Sequence, residues 1–216
     1  MEFLLHFHVH SNQRDLLVEL LQSYSGLQPV LTKERTDDLL DKILADTNAD
    51  PDYYVVNQSS SDWQSVECNS FKRLHHLGSL LSEKMRTLFI QTLYCSAGEY
   101  AYFLVYDQGK MIREIEGTGL PVPRINRGNV LPFETWETDA VQTNKIRHFD
   151  LDIIADYCLK MGIDISNLTN EEYSVVLERK QPREVLYHVE RDKLRALWEI
   201  ERETEKWLIP GKKNSK

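Results

Sequence analysis

The sequence predicts an α+β fold: a mixed or antiparallel sheet with a meander in its C-terminal half, flanked by helices. Three observations carry this. Residues 86–119 alternate apolar and polar side chains through three strands joined by short turns. Leu88, Ile90 and Thr92 mark the first strand, the aromatic and β-branched run Tyr100 to Tyr106 the second, and Met111 to Ile115 the third. Residues 2–10 alternate in the same way and place Phe3, Leu5, Phe7 and Val9 on one face. Residues 71–85 and 149–161 instead repeat apolar side chains every three to four positions, the spacing of an amphipathic helix.

The remaining elements follow in chain order. After the first strand, Ser11 or Asn12 is placed to cap a helix that runs through Leu16, Leu17, Leu20 and Leu21 and ends near Gly26. A second helix is expected over 36–45, and Pro51 separates it from a strand at 53–57. Ser59, Ser60 and Ser61 form a polar turn before a strand at 63–68, with Trp63 and Val66 inward. The helix at 71–85 carries Leu74, Leu77, Leu81 and Met85. Within the meander, Gly98 marks one turn and Asp107-Gln108-Gly109 the other. Residues 117–132 hold Gly, Pro, Asn and Arg without a period, which makes them an internal boundary or a long ordered loop inside a single α+β domain over 1–209. Asp150 caps the helix at 149–161, whose stripe is Ile153, Ile154, Tyr157 and Cys158, and Gly162 stops it. A last helix is expected over 192–208, then a frayed basic tail over 210–216.

Composition sets the class. The chain has 216 residues, 41% hydrophobic and 28% charged, enough for one domain with a sizeable core. A formal net charge of -8 opposes nonspecific binding to nucleic acid or to an anionic membrane, and suits a basic protein partner. The first residues lack the basic and apolar regions of a signal peptide, and no apolar run approaches the ~20 residues of a spanning helix. Three well-separated cysteines, Cys68, Cys95 and Cys158, suit free thiols in a reducing cytosol, so a cytoplasmic location is expected. The sequons at Asn57 and Asn167 then carry no meaning.

Candidate chemistry starts with His6, His8 and His10. On a strand they share one face, ~6.5–7 Å apart, and imidazoles so placed suit zinc, iron or manganese. His8-Val9-His10-Ser11 resembles the opening motif of the polymerase-and-histidinol-phosphatase type of metal-dependent phosphoesterases. That resemblance implies further His, Asp and Glu ligands at later strand ends, and here the glycine that closes the motif's turn is missing. The meander also contradicts the barrel such enzymes need. The competing reading, the polar face of a half-buried strand, is preferred, and no metal or other cofactor is expected. Asp46, Asn48, Asp50 and Asp52 have the spacing of half a calcium loop, but Pro51 stands where the loop needs Gly and Asn57 where it needs Glu. No nucleophile elbow, phosphate loop or dinucleotide fingerprint is present, and Cys95 and Cys158 fall in or beside apolar stripes.

The tyrosines open a different possibility. Tyr100, Tyr102, Leu104 and Tyr106 share one strand face, and Ala101, Phe103 and Val105 the other. A tyrosine face left open would suit a protein interface; covered by helices, it would send its hydroxyls to the sheet rim.

Residues 102–115 (Tyr102, Asp107, Gly109 and Arg113 among them), then 128–134 (Gly128, Leu131, Pro132, Phe133, Glu134), then Phe149 to Asp152 and a helix ending Met161-Gly162-Ile163-Asp164, form a recognisable series. It resembles uncharacterised bacterial α+β proteins of the kind found among immunity proteins that neutralise polymorphic toxins. The resemblance covers the middle and later half, rests on turn signals and implies no catalytic residue. It leaves Lys110, Arg113 and Glu114 as the polar side of the last strand. The expected function is a noncatalytic protein-binding module, immunity-type, with Asp37, Asp38, Asp41, Arg124 and Arg127 as contact residues. The alternative is a metal-dependent hydrolase or phosphoesterase centred on His6, His8 and His10. A homo-oligomer joined through the helix at 192–208 is a third class.

Overall fold

The structure, a computed structural model, describes residues 3–30, 43–44, 46–58, 62–134, 148–165 and 175–179. Its elements are β1 (Phe3–His10), α1 (Arg14–Ser25), β2 (Gln28–Val30), β3 (Tyr53–Gln58), β4 (Trp63–Cys68), α2 (His75–Met85), β5 (Leu88–Cys95), a 3-10 turn (Ser96–Gly98), β6 (Tyr100–Asp107), β7 (Lys110–Thr118), β8 (Ile125–Gly128), α3 (Leu151–Lys160) and β9 (Val175–Glu178). The nine strands form one sheet in the order β2-β9-β3-β4-β1-β5-β6-β7-β8. Every pairing in it is antiparallel. The α+β expectation holds in its antiparallel form, and the sheet outweighs the helices more than a flanked-sheet description suggests.

Alternation assigns each strand residue to a face. On one face Leu5, Phe7, Phe89, Leu93, Tyr102 and Leu104 pack under Leu17 and Leu21 of α1 and Leu77 and Leu81 of α2. On the other, Leu4, Ile90, Phe103, Val105 and Ile115 pack under Ile153, Ile154 and Tyr157 of α3. Helices therefore lie over both faces of β6, and Tyr102 is fully buried. The open tyrosine face is not what forms.

Local chemistry explains several boundaries. Asp150 caps α3 as expected, its carboxylate accepting from the Ile153 amide at 3.1 Å. Ser11 does not cap α1: its hydroxyl accepts from the Gln13 amide, and Gln13 occupies the cap position without a side-chain bond. The helix expected over 71–85, α2, begins at His75, not at Phe71. Gln91 of β5 donates to the Lys72 carbonyl (2.8 Å) and accepts from the Leu74 amide (2.8 Å), which holds that stretch extended along the sheet. At the β6–β7 hairpin Gln108 and Gly109 both take positive φ (47° and 83°), the geometry a two-residue turn of primed type requires.

Residues 117–132, expected to be irregular, contain β8, which continues the sheet beyond β7. β2 and β9 also lacked a sequence signal. The polar turn at 59–61, nearly all of the helix expected at 36–45, the helix expected at 192–208 and the tail at 210–216 lie outside the described residues.

Candidate functional site

The polar groups gather on β7. Its run Arg113-Glu114-Ile115-Glu116 places charge on both faces, and all four residues are buried. Arg113 and Glu114 are thus not one polar side of the strand: they lie on opposite faces and both are buried. On the α2 face Glu114 accepts from the Tyr102 hydroxyl at 2.9 Å and pairs with Arg127 at 2.5 Å, while His75 Nε2 lies 3.3 Å away. The other His75 nitrogen lies 3.1 Å from the Tyr106 hydroxyl. Burial, with the Glu114 carboxylate beside it, raises the Tyr102 phenol far above its ordinary range, so it stays protonated and donates.

One step along β7, Glu116 pairs with Arg73 at 2.5 Å and with Arg124 at 3.6 Å. The Arg73 guanidinium also sits over the Tyr102 ring, 5.3 Å from its centroid, and Tyr102 stacks on Tyr100 at 6.5 Å. Above this group opens a cleft of about 610 Å³ lined by Phe71, Lys72, Arg73, Tyr100, Glu116 and Arg124. Thr47, Asn48 and Cys95 complete its wall.

No family model, curated protein or solved structure matches the chain. The site must therefore be read from its own geometry.

The sequence candidates fare unequally. Arg124 and Arg127 each pair with a different buried carboxylate of β7, Glu116 and Glu114. Asp37, Asp38 and Asp41 lie outside the described residues. His6 and His8 stack in parallel, 6.2 Å apart, on the face opposite the cleft. β1 is the middle strand of nine and covered on both sides, so the half-buried polar face expected there is not what forms. His8 is held between the Ser65 hydroxyl at 2.9 Å and that of Thr92 at 3.5 Å. His6 Nε2 lies 3.7 Å from Glu67. Burial lowers His6 to about 4 and, with His6 adding a smaller repulsion, His8 to about 3. His10 is exposed and packs its ring against Trp63 at 4.9 Å. Among the described residues no three His, Cys, Asp or Glu side chains are grouped closely enough to hold a metal ion. The half calcium loop disperses too: Asp50 pairs with Lys72 and Asp52 with Arg179. Burial pushes Cys68 and Cys158 up to about 12, so neither is a ready thiolate.

Sequence reading missed Glu114, Glu116, Arg73 and His75 as a group. Charges at both even and odd positions of β7 were the available signal, because a strand with one wet face would carry them at one parity only.

Proposed function

We propose that the protein is a noncatalytic protein-binding module whose contact surface is the β8 end of the sheet. The observation that carries this reading is the exposure around β8. Leu120 and Val122 just before it are 62% and 74% exposed, and Val130 just after it is 65% exposed. Among the described strands β8 stands at the edge of the sheet, and such an edge offers backbone N–H and C=O groups to a partner's strand. Arg124 and Arg127 rise from the same segment, and arginine beside exposed apolar side chains is the composition of a protein contact. The noncatalytic half of the reading rests on pairing. Glu114, Glu116 and Arg113 are each neutralised by a partner of opposite charge, and both His8 nitrogens face hydroxyls, so these groups brace the fold. An immunity-type role falls within this class and rests on the resemblance alone.

A Leu120→Asp/Val122→Asp variant tests the proposal, since both side chains are solvent-exposed and the fold should stand. Wild-type protein should retain a stoichiometric protein partner from its native cells, and the variant should lose that partner at unchanged thermal stability. Equal retention by both forms, or retention by neither, would remove the proposal.

A further inference from the structure

The geometry points to the cleft beside Glu116 as a binding site for a small organic anion, a carboxylate or phosphate ester carried on a flat, unsaturated body. This goes beyond the protein-contact reading and does not depend on it. Three cations, Lys72, Arg73 and Arg124, line the opening, against two carboxylates: Glu116, which is buried and pairs with Arg73, and Asp50, which pairs with Lys72 at 2.6 Å outside the lining. The chain is acidic as a whole, so a local excess of positive charge here runs against the overall balance.

Arg73 is fixed before any ligand arrives. Glu116 holds one end of its guanidinium and the Tyr102 ring lies beneath it. A planar fork immobilised in this way meets a carboxylate or phosphate with little further loss of side-chain freedom. Arg124 differs. It is largely exposed and its pairing with Glu116 is loose at 3.6 Å, so it can turn toward an incoming anion without stranding a buried charge.

The wall supplies the rest of the ligand's surroundings. Phe71 packs edge-on to Tyr100 at 6.1 Å, and Tyr100 stacks in parallel on Tyr102. Phe71 and Tyr100, which line the cleft, therefore offer ring surface beside the cations. A volume of about 610 Å³ exceeds what a bare inorganic ion fills and lies within the range of small-molecule sites.

The test is an amide NMR titration of the full chain with phenyl phosphate, benzoate, inorganic phosphate and neutral benzyl alcohol. Saturable shifts should map to residues 71–73, 100, 116 and 124 for phenyl phosphate or benzoate, and whichever binds more tightly identifies the anionic head. Benzyl alcohol and inorganic phosphate should each bind at least about tenfold more weakly, one lacking the charge and the other the ring. Arg124→Gln should weaken the tighter anion about tenfold. Glu116→Gln keeps an acceptor oxygen for Arg73 and removes the opposing charge, so it should tighten the anion, a gain that a loss of structure could not produce. Three results would overturn the assignment: no saturable shift in those residues with either aromatic anion, equal binding of benzyl alcohol or inorganic phosphate, or unchanged affinity in Arg124→Gln.

Discussion

Arg113 and Glu134 meet as a two-bond pair inside the protein. Nε and one terminal nitrogen of the guanidinium each donate to a separate carboxylate oxygen at 2.7 Å, and the two side chains are 1% and 3% exposed. The remaining terminal nitrogen donates to Asn126 Oδ1 and to the Arg127 carbonyl, so one buried side chain ties β7 to β8 and to the segment after it. Glu134 also accepts from the Leu131 amide. Removing either partner alone leaves the other charge buried and unpaired, at a cost of about 3–5 kcal/mol. Arg113→Met and Glu134→Leu should each lower the unfolding free energy in urea by about that much, and the double variant by clearly less than their sum. Additive losses would show that the pairing is not what holds this segment.

Acid should weaken the fold through β1. Both buried histidines have folded values below the ordinary 6.5, about 4 for His6 and about 3 for His8. Between 6.5 and those values the unfolded chain binds more protons than the folded one, so unfolding becomes easier as pH falls. The loss begins near pH 6.5 and is complete below about 3. Urea midpoints measured across this window should slope downward toward acid. A His6→Gln/His8→Gln variant should show a shallower slope, and an unchanged slope would contradict the assignment.

Gly128 has φ of +91°, and a Cβ built there would lie 2.1 Å from the Ile112 carbonyl oxygen. Gly128→Ala should therefore lower stability by about 1–3 kcal/mol. Gly98, whose built Cβ meets nothing closer than 3.9 Å, serves as the control, and Gly98→Ala should leave the melting temperature nearly unchanged. Equal effects in a thermal melt would refute the steric account.

The β5–β6–β7 meander and α3 with its Asp150 cap were legible because their signals are local: alternation, a Gln-Gly turn, a capping carboxylate. The faces of β7 were not. A two-residue turn at Gln108 and Gly109 would by itself place Leu104 opposite Arg113. A bulge between Val105 and Tyr106 shifts the register and places Leu104 opposite Glu114. One residue of shift exchanges the two faces of a strand, so it decides which charges join the tyrosines, and nothing local to β7 announces it. β8 and β9 were hidden for a related reason. They are four residues long, and their partners in the sheet, not their own pattern, make them strands. The Gly128 to Glu134 segment, read as a turn signal, turns out to place the carboxylate that Arg113 needs.

Thiol reactivity should separate the three cysteines. Cys68 and Cys158 are buried with thiols pushed up to about 12, whereas Cys95 is only partly buried and lines the cleft. Iodoacetamide should label Cys95 first in the native protein, and all three only after denaturation. Peptide mass spectrometry reads this directly, and early labelling of Cys68 or Cys158 would contradict the packing described here.

The contact surface at β8 is tested most directly by photo-crosslinking. A benzophenone side chain placed at Val122, expressed in the native cells, should yield one dominant adduct with another protein. The same group at Leu159 on α3, 66% exposed against 74% for Val122, should yield none. No adduct from position 122, or the same adducts from both positions, would contradict a protein contact at this end of the sheet.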